Sequence, residues 1–129
     1  MPKMNFGDVA SQPPEKTIEV PAPEFGENMT VLVRPPTTAD RLLIAKIINT
    51  DRVKIGDTWH HKYPPPVVVA ALCAVDEHGD LVFGLTPMGA VNACLSMDGR
   101  YSPLFSRIAL AVATAVLKNN QETPDNDHN

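Results

Sequence analysis

Residues 67–83, VVVAALCAVDEHGDLVF, hold the densest apolar run of the chain and then reverse its direction. Val67 to Val75 contains no strongly polar side chain, and Pro64, Pro65 and Pro66 stand directly before it. Proline fits a first helical turn, where its missing N–H has no intrahelical partner to lose. Successive valines favour a strand, whereas Ala70-Ala71-Leu72-Cys73-Ala74 favours a helix, and periodicity alone does not separate the two in so short a run. We read Val67–Val75 as a helix. Asp76 to Asp80 then turns the chain, with Gly79 free to take a positive φ, and Leu81 to Phe83 returns in an extended conformation.

Upstream of this segment, Thr17-Ile18-Glu19-Val20 alternates and Met29 to Val33 is apolar and β-branched, with a Gly/Pro-rich connection between them. That pattern predicts a small antiparallel pair. Pro35-Pro36 ends the second strand. Thr37 stands three residues before Asp40, a capping pair, and Leu43, Ile44, Ile47 and Ile48 recur at helical spacing, so an amphipathic helix is expected over 37–49. Residues 49–63, NTDRVKIGDTWHHKY, are polar and turn-rich and read as a long loop carrying the only tryptophan. Loops of that length in compact domains are often functional. Trp59 and Tyr63 are therefore candidate partner contacts, since aromatic side chains dominate interface hot spots. The alternative for Trp59 is that it folds back onto the core.

Downstream, Thr86-Pro87 and Ser102-Pro103 each place an N-cap before a proline. The first helix is expected to end at Asp98-Gly99. The second, 103–118, carries a wide stripe of Leu104, Phe105, Ile108, Val112, Ala115 and Val116. Residues 1–16 read as a mobile arm, 17–118 as one domain and 119–129 as a disordered tail with no hydrophobe to offset its ordering entropy. The fold class is α+β: mainly helical, with about four helices and an N-terminal antiparallel β pair.

The 129 residues carry a net charge of −4 with scattered basic side chains, a pattern that argues against nucleic acid as a partner. No segment reaches the roughly 20 apolar residues of a membrane span. Cys73 and Cys94 lie in apolar segments and read as buried thiols. His60, His61 and His78 with the two cysteines are the only set able to hold a metal. Adjacent histidines diverge, however, and no short ligand spacing is present. Asp76, Glu77 and Asp80 occupy a reversal rather than a cleft. Neither a nucleophile elbow nor a phosphate loop occurs, so no catalytic residue, metal or cofactor is assigned.

The apolar ALC-V segment, the VDEHG turn and the pair ending in Phe83 resemble the tail assembly chaperones of long-tailed (siphovirus-type) bacteriophages. The similarity extends back to Val31-Leu32-Val33-Arg34-Pro35 with the following helix, and forward to the two C-terminal helices. It implies a non-catalytic protein that binds the tape measure protein and keeps it soluble while tail tube subunits assemble, working in the host cytoplasm and absent from the mature virion. It also implies a frameshifted longer form that recruits the tail tube protein. Met88-Gly89, where relatives often carry acidic residues, and the long Trp59 segment depart from the family pattern. Two other functions fit the sequence: a structural tail or head-completion protein, and a small metal-dependent enzyme built on His60, His61 and His78.

Overall fold

A computed structural model describes residues 17–121, with side chains described as far as Leu117. The expected arm over 1–16 and most of the expected tail, 122–129, lie outside the described residues. Among those described are four α-helices and two small antiparallel sheets, so the α+β reading holds.

The capping pair forms as expected. Thr37 caps α1 (Thr38–Thr50), its Oγ1 accepting from Asp40 N at 3.1 Å, while Asp40 Oδ2 accepts from Thr37 N at 3.0 Å. Such a cap stabilises a helix by about 1 kcal/mol. Pro64 precedes α2 (Pro65–Cys73), and prolines occupy its first turn. Its Val68, Ala70, Ala71, Leu72 and Cys73 are all buried. Burial compensates for the low helix propensity of its valines, since fully burying one valine or leucine contributes roughly 1.5–3 kcal/mol. The central position of α2 follows from this composition: α1, α3 (Pro87–Leu95) and α4 (Ser102–Gln121) all pack against it.

The sheet order is β1 (Ile18–Pro21), β2 (Thr30–Val33), β5 (Ala74–Val75). Val20 opposes Val31 and Ile18 opposes Val33 on the face turned to the core, whereas Glu19 and Leu32 oppose each other on the outer face. The third strand corrects the expected helix over 67–75, which stops at Cys73. Ala74 and Val75 pair with Val33 and Leu32 instead, and Cys73 O accepts from Arg34 N at 2.9 Å. The sheet thus receives the end of α2 and satisfies a carbonyl that the helix leaves open. Asp76 to Asp80 turns as expected. Asp76 Oδ1 accepts from His78 N and Asp80 N, Gly79 takes φ +85°, and Leu81 bridges back to Val75.

Two further corrections concern the loop and the last helix. Residues 52–61 form a hairpin of β3 (Arg52–Ile55) and β4 (Thr58–His61) where a loop was expected. Helix α4 continues to Gln121, so the first residues of the expected tail are helical. Extending an existing helix adds a hydrogen bond per residue without a new nucleus. Along α4, Leu104, Phe105, Ile108 and Val112 are buried, and Ala115 and Val116 are half-buried. Arg107 ties this helix to the β1–β2 connection, donating to Pro21 O at 2.8 Å and pairing with Glu24 at 3.0 Å.

Candidate partner-binding surfaces

The hairpin places the tryptophan outside the core. Gly56, with φ +63°, and Asp57 form its two-residue turn, the arrangement that matches the natural twist of a hairpin. Val53 opposes His60 and Lys54 opposes Trp59, so Lys54 and Trp59 share one face while Val53 and His60 share the other. The Lys54 ammonium sits 6.0 Å from the Trp59 ring. Trp59 is 59% exposed and Ile55 64%, and no hairpin side chain belongs to the core cluster. A two-stranded hairpin is marginal by itself. This one is rooted on α1, where His61 Nδ1 donates to Ile48 O at 3.0 Å, and its base is closed by Lys62 N donating to Asp51 O, just after the helix, at 3.1 Å.

Trp59 and Tyr63, which the sequence groups together, separate in the fold. Trp59 projects to solvent, whereas Tyr63 is half-buried against the core cluster with the Lys62 ammonium 5.4 Å from its ring. The histidines separate as well. His60 is exposed on β4, His61 is bonded to α1, and His78 lies in the turn after β5. Among the described residues no three His, Cys, Asp or Glu side chains converge on a possible metal position. Cys73 and Cys94 are free and buried. Loss of solvation pushes both thiols up to about 12, and for Cys73 the nearby Asp40 charge acts in the same direction.

Two apolar concavities were not anticipated from sequence. The first is a trough of about 660 Å³ between α1 and α4, with Ile44 and Ile48 on one wall, Val112, Val116 and Leu117 on the other and Val69 of α2 at its floor. Its wall continues along α4 through exposed Leu110 and Ala113. The second, of about 830 Å³, lies on the outer face of the β1–β2–β5 sheet. A sequence signal for the trough existed in Leu110, Ala113 and Leu117, a stripe at helical spacing beside the buried one. No described helix is long and apolar enough to cross a membrane. Comparisons with protein-family models, with curated proteins and with solved structures return no match.

Proposed function

We propose that this chain is a tail assembly chaperone of a long-tailed bacteriophage, a non-catalytic protein that holds the tape measure protein soluble in the host cytoplasm. The observation that supports the reading is the trough between α1 and α4. A tape measure protein is a long helical chain, and its apolar stripes associate in water unless covered. Helical walls on either side of Val69 suit an amphipathic helix, whose anchors at helical spacing would lie between Ile44 and Ile48 on one side and Val112 and Val116 on the other. Trp59 on the projecting hairpin is a second contact for the same client, and Tyr63 supports the body beneath it. The longer frameshifted form, where made, would add the contact to tail tube protein beyond α4.

The test is co-expression with the long helical protein encoded nearby. Retention of that protein in solution, only in the presence of this chain and with co-purification of the two, is the expected result. Failure to raise its solubility would overturn the reading. Recovery of this chain from purified virions would instead identify a structural tail or head-completion component.

A further inference from the structure

The groove on the outer face of the sheet differs chemically from the helical trough. Phe25 and Met29 form one wall, Val82 and Phe83 the other, and Leu32 and Met97 close its floor and end. Phe25 is held in place by a stacked contact with Tyr101, ring centroids 4.9 Å apart, and Phe83 packs edge-on against buried Phe105. Each wall therefore carries a preformed aromatic, and Met29 and Met97 are side chains that adapt to varied partners. Phe25, Met29 and Val82 are each close to half exposed, an apolar surface that the described residues leave uncovered.

Among the described residues, every charged one lining this groove is acidic: Glu19 on β1, and Asp76 and Glu77 in the turn after β5. None of the three forms an ion pair among the described residues. Glu19 is steadied by the Thr30 hydroxyl, which donates to it at 3.2 Å. Asp76 is fixed by the backbone N–H groups of its own turn. Carboxylates anchored beside an apolar surface select an occupant that brings both hydrophobic side chains and cations.

From this complementarity we infer that the outer-face groove binds a basic, amphipathic peptide segment of a partner protein. Apolar side chains of the segment enter between Phe25 and Phe83, and flanking Lys or Arg side chains meet Glu19, Asp76 and Glu77. The site is separate from the α1–α4 trough and does not depend on the function proposed above.

Fluorescence anisotropy on the full chain tests it. The probe is a labelled 16-residue amphipathic peptide with leucine on one face and lysine on the other, and the control replaces each lysine by glutamate. Saturable binding of the lysine peptide, at least about tenfold tighter than the glutamate peptide and weakened by added salt, is expected. Glu19→Lys and Glu77→Lys, both at exposed positions, should each weaken the lysine peptide several-fold. Met29→Glu should abolish binding, whereas Ala113→Glu in the trough should leave it unchanged, with circular dichroism verifying each fold. Equal binding of the two peptides, or of neither, would overturn the inference. So would loss of binding through Ala113→Glu but not Met29→Glu, which would move the peptide to the trough. Concentration-dependent self-association removed by Met29→Glu would assign the groove to a second copy of this chain.

Discussion

Glu24 and Asp76 show how single carboxylates link the fold to pH. The Arg107 guanidinium holds Glu24 below the ordinary glutamate value of 4.5, and backbone N–H donors from Asp80 and His78 hold Asp76 below the ordinary aspartate value of 3.8. A depressed carboxylate favours the folded state above its unfolded value, and that contribution disappears as pH falls through the folded value. Thermal melts taken from roughly pH 6 down to pH 2 should therefore lose stability on the acid side. Glu24→Gln and Asp76→Asn should each flatten that loss while lowering stability at neutral pH. A second residue-scale expectation concerns Cys73 and Cys94. With both thiols raised to about 12 by burial, a thiol reagent at pH 8 should leave the native protein unmodified and label two sites after denaturation. Rapid labelling of the native state would contradict the burial of α2 and α3.

Among the elements, the helices were the legible part of the chain because their start signals are local. Thr37 with Asp40, Thr86 before Pro87, and the prolines ahead of Val67 each act within one turn. The strand β5 was not legible: Ala74 and Val75 sit in a run with helix-favouring neighbours, and only pairing with Leu32 and Val33 makes them extended. The hairpin did carry a signal, Gly56-Asp57 between Arg-Val-Lys-Ile and Thr-Trp-His-His. Its polar composition suggested a loop because both faces of the ribbon are exposed. Trp59→Ala should consequently change stability by no more than about 0.5 kcal/mol, while weakening capture of the proposed client. A close approach of elements gives a sharper test. A Cβ on Gly84 would lie 2.6 Å from Ala90 N at the start of α3, whereas one on Gly99 would meet nothing within 4 Å. Gly84→Ala should cost about 1–3 kcal/mol by forced repacking, and Gly99→Ala should lie within about 0.5 kcal/mol of the parent. Denaturant melts of the pair measure the contrast.

At the scale of the whole molecule, α2 organises three helices and hands its end to the sheet, and the described residues leave two apolar surfaces uncovered on different parts of the body. The candidate site was legible only in part. Trp59 and Tyr63 read as candidate contacts, with burial on the core as the alternative for Trp59; Trp59 is exposed, but Tyr63 turns inward. The trough requires α1 and α4, whose facing residues lie more than sixty positions apart, to stand on either side of Val69, a relation that no local pattern encodes. The most direct test of the chaperone account is co-expression of the tape measure protein with the parent chain and with an Ala113→Glu, Leu117→Lys variant. Both positions are exposed, so the variant should fold. The account predicts that the parent holds the client in solution and that the variant, folded by circular dichroism, retains it at least about tenfold less well, as expected for charges placed in an apolar contact. Equal retention by the two chains would contradict it.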